Sequence, residues 1–335
     1  MKVGMRKRYW LIPGVLLLTL SACIYGFWGK ASPSTGAEKG VAAMAGEVLT
    51  VLEPPDKTVP SLLPFLKIRL WAEKAFVFDN RTEEVLYLKG TLQDRIYPAS
   101  ITKLYTVHVA LMYLQPEEVV TAGEELDLLQ PGSSIAFIRK GHRLTVEMLI
   151  EGMLLPSGND AAYVLAAAAG RKIAGDQALP ASEAVAVFVD EMNRRAQAEG
   201  LQETRFTSPD GFHDDGHYTS MADLIRIARL ALSEELIIQY TSLCREKVFF
   251  ASGETITWNN TNLLLHPESP FYREEVIGLK TGRTPEAGYC LLAAARSGDR
   301  EVIIAVLGCA ELNQRFEDAL KLLDAWEEGY KEGWF

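Results

Sequence analysis

Cysteine and histidine are both scarce in this chain of 335 residues, at four and five copies. Four cysteines are too few to build a disulfide scaffold at this length. No His-Glu-x-x-His run occurs, so a metallopeptidase lacks its usual helical scaffold. Basic side chains are in deficit too, with 34 Lys and Arg against 44 Asp and Glu and a formal net charge of -10. The deficit is deeper in the body, because Lys2, Arg6, Lys7 and Arg8 all lie in the first 23 residues, which hold no acidic side chain. So acidic a body is a poor candidate for nucleic-acid binding, which rests on phosphate neutralisation. There is no internal repeat, and no low-complexity tract beyond one early spacer. What remains, 48% hydrophobic and 23% charged, is the composition of a globular protein with room for one large domain or two ordinary ones.

The N-terminus is the first positive signal. The basic cluster is followed by an uncharged apolar run over residues 9–20 and then by Leu20-Ser21-Ala22-Cys23. That order is a secretory signal, and Leu-Ser-Ala-Cys resembles the lipobox of bacterial lipoproteins, with Cys23 as the lipidated residue. The apolar stretch also continues through Ile24, Tyr25, Phe27 and Trp28, roughly twenty residues, enough to span a bilayer uncleaved. Trp10 and Trp28 would then sit near the two interfaces. Lipoprotein and uncleaved anchor both remain open, and both place the body outside the cytoplasmic membrane.

Three segments follow: residues 1–29 as signal or anchor, 30–70 as a flexible spacer rich in small residues and Pro, and 71–330 as the body. Short strand-like runs over 74–79 and 84–89 flank Asn80-Arg81-Thr82, a hairpin. Apolar residues recur at helical spacing from Ser100 to Leu114. Further helices are expected over 145–155, 160–169, 182–199, 219–232 and 314–327, with Ser182 capping the 182–199 helix and Gly200 ending it. Strands return over 246–250, 276–280, 289–295 and 301–309. A helical middle between strands predicts an α+β domain whose sheet is completed by distant segments. If Gly298-Asp299 is a two-residue turn, Cys290 faces Leu307 and lies diagonal to Cys309, too far for an easy bridge. Free, buried thiols are expected there.

Three motifs carry chemistry. In Pro98-Ala99-Ser100-Ile101-Thr102-Lys103, Ser and Lys three apart share one helix face. Serine is a weak nucleophile, and lysine activates it only if burial or a second cation lowers its pKa. Ser-x-x-Lys arises by chance in many chains, so it carries nothing alone. Ser157-Gly158-Asn159 lies on a Pro/Gly loop between helices, able to aim a hydroxyl and an amide into a cleft; Asn159 or Asp160 equally suits a helix N-cap. Lys280-Thr281-Gly282 ends a strand-like run, where a cation and a hydroxyl can take a carboxylate while Gly allows close approach.

In that order the motifs form the signature of penicillin-binding proteins and serine β-lactamases. The chain more closely resembles the D-alanyl-D-alanine carboxypeptidases, the low-molecular-weight penicillin-binding serine peptidases, from about Trp71 to Trp326. The resemblance extends to Ser157-Gly158-Asn159-Asp160-Ala161-Ala162, Pro209-Asp210-Gly211, His217-Tyr218-Thr219, Asn262-Leu263-Leu264 and the run from Lys280 to Leu291. It implies a β-lactamase/transpeptidase-like fold, a mainly antiparallel sheet flanked by helices with a helical subdomain. It implies an acyl-enzyme on Ser100, with Lys103 accepting the proton, Ser157 relaying one to the leaving D-alanine, and Lys280 holding Lys103 near neutral. Asn159 would bind substrate backbone or Lys103. The backbone N–H groups of Ser100 and Arg283 would form the oxyanion hole. Thr281, Gly282 and Arg283 would face the substrate, with Thr281 and Arg283 taking its carboxylate. The implied partners are a stem peptide ending in D-Ala-D-Ala, β-lactams as acylating inhibitors, and the cytoplasmic membrane through the N-terminus; no metal or organic cofactor is needed. Many relatives carry a further C-terminal β-rich domain, for which little chain remains here. A D,D-endopeptidase could use the same residues. A class A β-lactamase should carry Glu-x-x-Leu-Asn, which Glu191-Met192-Asn193 approaches with the wrong spacing. A membrane-tethered binding module without turnover is disfavoured by the competent residue at every position. His213-Asp214-Asp215-Gly216-His217 has metal-like ligand types, but a turn leading into a helix N-cap is the expectation.

Overall fold

The computed structural model describes residue 65 and residues 67–333, which fall in one compact unit. Cys23, the apolar run and residues 30–64 of the expected spacer lie outside the described residues.

The frame is a five-stranded antiparallel sheet. Its strands are β1 (Lys74–Asp79), β2 (Glu84–Lys89), β9 (Val276–Thr284), β10 (Gly288–Ser297) and β11 (Arg300–Cys309), in the order β2-β1-β11-β10-β9. The N-terminal hairpin pairs with the last strand, Lys74 opposite Leu307 through Asp79 opposite Val302. Distant segments therefore complete the sheet. Side chains alternate between its faces. Phe76, Leu292 and Ile303 enter one buried cluster with the helical region, while Val77, Leu291 and Ile304 enter a second with Phe316 and Trp326. Both faces are covered, which is why Leu291–Ala295 and Val302–Leu307 read as continuous apolar runs.

Between β2 and β9 the chain forms the helical region. A 3-10 turn, Ala99–Ile101, leads directly into α1 (Thr102–Leu111), followed by α2 (Val146–Leu154), α3 (Asn159–Ala174), α4 (Ala181–Ala198), α5 (Met221–Ser233) and α6 (Glu235–Thr241). Small pairs complete it: β3 (Arg95–Ile96) with β6 (Thr219–Ser220), β4 (Val119–Thr121) with β5 (Arg143–Thr145), and β7 (Arg245–Phe249) with β8 (Thr255–Asn259). The last helix, α7 (Gln314–Lys331), covers the second cluster. The expected α+β architecture with a helical subdomain is the one found.

Several expectations are corrected. The packed body reaches back before Trp71: Phe65 is buried with its ring 5.4 Å from that of Tyr87. Ser182 does not cap α4, which starts after Pro180 and has no side-chain cap. Ser220 does cap α5, accepting from Asp223 N at 3.1 Å. Strand β8 and helix α6 escaped the periodicity, being five and seven residues long. Cys290 and Cys309 are free and buried as expected, but they are not diagonal neighbours on one face. A register shift between Tyr289 and Leu291 sets Tyr289 opposite Cys309 and leaves the two thiols in different clusters, on opposite faces of the sheet.

The tightest helix contact sits at Gly170, where a Cβ would lie 1.8 Å from the Ala184 carbonyl oxygen on α4. Gly170→Ala must therefore push α3 and α4 apart. It is expected to cost about 3 kcal/mol, read as a lower urea midpoint with unchanged m-value.

Candidate active site

The three motifs converge where α1, the α2–α3 loop and β9 meet. Lys103 lies in the first turn of α1 and is fully buried. Its Nζ is 2.7 Å from Ser100 Oγ, 2.8 Å from Asn159 Oδ1 and 2.9 Å from the Asp210 carbonyl oxygen. The last two are pure acceptors and take two N–H bonds. A neutral amine then has its lone pair left for the Ser100 hydroxyl, the orientation a general base requires. Burial lowers the Lys103 pKa to about 8, against the pull of the Asp210 and Asp160 carboxylates. Lys280, also buried, is lowered by burial first and then by repulsion from Lys103 and Arg315. Desolvation is thus the main cause for both lysines, and repulsion from Lys103 adds to it at Lys280.

Asn159 does not cap α3, and neither does Asp160; the N-cap position belongs to Gly158, without a side-chain bond. Asn159 instead faces Lys103, and its Nδ2 donates to Ser133 Oγ at 3.0 Å. Asp160 turns back to the 131–139 loop, accepting from Ala136 N at 2.8 Å and Ile138 N at 2.9 Å. A buried carboxylate so clamps the loop that supplies Ser133 to the cleft. Ser157, on the same turn, is buried with φ +66°.

Lys280-Thr281-Gly282 is not at a strand end. Strand β9 runs through it to Thr284, with Thr281 opposite Leu291 and Gly282 opposite Cys290. Among the described residues β10 is its one sheet neighbour, and its other edge lies against the Ser100 turn at Gly282. A Cβ on Gly282 would meet Pro98 O at 2.9 Å, Ala99 Cβ at 3.1 Å and Ser100 N at 3.2 Å. Glycine there lets the β9 backbone approach the Ser100 amide, as the expected oxyanion hole requires. Thr281 Oγ1 is 2.5 Å from Thr261 Oγ1, and Lys280 Nζ is 3.2 Å from the Thr281 carbonyl oxygen. A cavity of about 370 Å3 opens here, lined by Ser100, Ser133, Asn159, Asp210 and Arg283 among others.

Backbone strain marks each motif. Ala99 (φ +47°), Ser157 (+66°) and Leu279 (+77°) all occupy left-handed conformations without being glycine. Each costs on the order of 1 kcal/mol and persists only where packing over-determines it. Gly211 supplies part of that packing: its Cα approaches so closely that a Cβ would lie 1.9 Å from Ala99 O.

The histidine-rich loop has other work. His217 is buried, accepts from Thr207 N at 3.1 Å through Nδ1 and bonds Thr102 Oγ1 at 2.8 Å through Nε2. Burial lowers its pKa to about 4, so it is a neutral strut between this loop and α1. Glu191 is bound by Tyr113, Arg194 and Arg195, which hold its pKa down to about 2, and it does not line the cleft.

Sequence reasoning missed Asp210, Ser133 and Thr261 as parts of the site, because loop residues far apart in sequence leave no periodic trace. It also missed Arg315. From the first turn of α7, its Nη1 donates to Gly282 O at 3.2 Å and Cys290 O at 3.3 Å, bracing β9 and β10 from behind. A buried cation at a helix N-terminus opposes the dipole, and that mismatch was the available signal.

Comparison with known proteins agrees with the geometry. The sequence profile of the D-alanyl-D-alanine carboxypeptidases matches residues 64–311. The chain is 31% identical over 258 residues to D-alanyl-D-alanine carboxypeptidase DacF of Bacillus subtilis, covering 76% of this chain and 61% of that one. It is 32% identical over 261 residues to the carboxypeptidase of Streptomyces sp. strain K15, covering 74% and 84%. It therefore spans about three fifths of the DacF length and most of the Streptomyces protein. The crystal structure of the Streptomyces K15 DD-transpeptidase superposes with a TM-score of 0.70 at 31% identity, covering 79% of this chain and 99% of that one. Penicillin-binding protein D2 of Listeria monocytogenes, in its ampicillin-bound form, gives 0.62 at 27%, covering 77% and 98%.

Proposed function

Because the chain belongs to the D-alanyl-D-alanine carboxypeptidase family, we propose that it removes the terminal D-alanine from peptidoglycan stem peptides through an acyl-enzyme on Ser100. The observation that carries this reading is the Lys103 amine, 2.7 Å from Ser100 Oγ with two other acceptors fixed. Ser100 Oγ attacks the carbonyl between the two D-alanines as its proton passes to Lys103 Nζ. The oxyanion is taken by the Ser100 and Arg283 backbone N–H groups. The Ser157 hydroxyl relays a proton to the leaving amine, and Thr281 and Arg283 hold the terminal carboxylate near Lys280 Nζ. Water then cleaves the ester and frees the shortened peptide. β-Lactams acylate the same oxygen.

The direct test is incubation with a stem pentapeptide, following free D-alanine. Stoichiometric release with shortening by one residue supports the reading, and an unchanged peptide overturns it. A second outcome has a specific motive, since the Streptomyces K15 neighbour is described as a DD-transpeptidase: an added amine acceptor competing with water would appear as a lengthened product. The body works outside the cytoplasmic membrane in this proposal, tethered through residues 1–29 by a lipidated Cys23 or an uncleaved span. Metabolic labelling with a fatty acid, compared with Cys23→Ala, distinguishes the two.

The glycine at 282 gives a further expectation. A methyl group at that position must displace β9 from the Ser100 turn by several tenths of an ångström. Gly282→Ala is expected to slow acylation by a fluorescent penicillin about 100-fold, the sensitivity of a near-attack geometry to small misplacement. Gel fluorescence against time reads the rate; an unaltered rate shows that close approach is not needed.

A further inference from the structure

We propose that Glu286 determines specificity, by receiving a side-chain amine carried by the stem-peptide residue that precedes the two D-alanines; this rests on the carboxypeptidase reading above. The direction of the substrate follows from strand β9. With the terminal carboxylate at Thr281 and the oxyanion at the Arg283 amide, the acyl half of the peptide runs past Thr284 and Pro285 towards Glu286. All of these residues except Thr281 line the cavity that opens on Ser100. An extended peptide along β9 beyond the Ser100 turn uses ordinary strand recognition, in which backbone gives affinity and side-chain pockets give specificity.

Reach agrees with this placement. From Arg283, in β9, to Glu286, in the turn that follows it, the chain covers at most about 10 Å. One substrate residue back from the reacting carbonyl covers about 3.4 Å, and an extended lysine-type side chain adds about 6 Å at ordinary bond lengths.

The charge at Glu286 is available. Its side chain is 42% exposed, and its recorded ion-pair contact is the long one with His213, whose Nδ1 lies 3.7 Å from Oε2. That separation is too great for a hydrogen bond, and His213 Nδ1 is buried with no hydrogen-bond partner. His213 is itself fixed, its ring edge-on to Tyr97 at 4.8 Å and its Nε2 3.5 Å from Asp215. The neighbouring cations are committed or apart. Arg283 lies over the Tyr289 ring at 5.0 Å. Arg95 shares a small adjoining cavity with Glu286 but pairs with Glu203 at 3.0 Å and stacks on Tyr218. Lys74 lines that second cavity too, and among the described residues neither it nor Arg95 pairs with Glu286. A carboxylate without a strong partner, on the cleft wall along which the acyl chain runs, fits an ammonium group.

The test compares two tripeptides that differ only in that charge: Nα-acetyl-L-Lys-D-Ala-D-Ala, with a free ε-amine, and its Nα,Nε-diacetyl form. The wild-type kcat/KM ratio is expected to be about fivefold in favour of the free amine, the size a partly exposed ion pair supplies. In Glu286→Gln the ratio is expected to fall to about one. In Glu117→Gln, an exposed acid away from the cleft, it is expected to stay near five. Because each ratio is taken within one protein, a change in overall activity cancels. A wild-type ratio near one, or a ratio that survives in Glu286→Gln, overturns the proposal and leaves the carboxypeptidase reading standing. Release of D-alanine from neither tripeptide overturns both.

Discussion

Ser100→Ala is expected to reduce D-alanine release from a stem pentapeptide by on the order of 10^4-fold or more, the loss seen when a covalent nucleophile is removed. The same variant should gain no mass on incubation with a β-lactam, whereas wild type gains one adduct. The size follows from the chemistry. Without Oγ no acyl-enzyme forms, and Lys103, the oxyanion donors and the carboxylate site are left to assist direct attack by water. The fold should barely notice. Ser100 is only partly buried, and Lys103 keeps its bonds to Asn159 and Asp210. A stability change within about 1 kcal/mol is expected for one lost hydrogen bond. Urea unfolding beside the activity assay separates the two effects. Residual turnover above about one part in a hundred, or a covalent adduct elsewhere, would place the nucleophile at another hydroxyl, with Ser157 the first to check.

How much of this was legible in the sequence differs between sheet, helices and site. Strands β1, β10 and β11 announce themselves as short apolar runs, and the 74–79 and 84–89 runs agree with β1 and β2 residue for residue. The long helices are visible at 3.6-residue spacing. Caps are less so, because a helix start depends on what the preceding residues pack against; Pro180 sets the start of α4 and overrides the propensity of Ser182. Of the motif residues, Ser100 and Asn159 line one cleft, Lys103 is hydrogen-bonded to both, and Gly282 brings β9 against the Ser100 turn. What single positions could not show is the strain at Ala99, Ser157 and Leu279, which no residue type advertises. Nor could they show that a main-chain oxygen, that of Asp210, completes the Lys103 cradle, since every residue carries one. Lys280-Thr281-Gly282 reads in sequence as the end of a strand-like run, whereas β9 continues through it to Thr284. At Gly282 the missing side chain serves a close approach within the strand.

Lys103→Met is expected to lower acylation by about 1,000-fold, within the range for a lost general base, and it tests the electrostatics as well as the chemistry. The reactive form is the neutral amine, and burial places the Lys103 pKa at about 8. Wild-type acylation should therefore rise with pH through a midpoint near 8, and the residual rate of Lys103→Met should lack that limb. The stability linkage has its own sign. The ordinary lysine value of 10.5 belongs to the unfolded chain, so between about 8 and 10.5 the unfolded chain holds a proton that the folded protein has released. Stability then increases with pH across that window, the reverse of a lysine held by an ion pair. Lys103 supplies on the order of 2 kcal/mol of that increase, and Lys280, depressed for the same reason, adds to it in the same direction. Removing Lys103 also relieves the repulsion on Lys280, so the variant loses more of the slope than one lysine alone would carry. Urea unfolding at pH 7.5 and pH 10 reads this directly, as a wild-type stability relative to Lys103→Met that grows with pH. A constant difference between the two proteins, or an acylation midpoint at the ordinary lysine value, would mean that Lys103 is charged in the resting enzyme. Ser100 would then need another base.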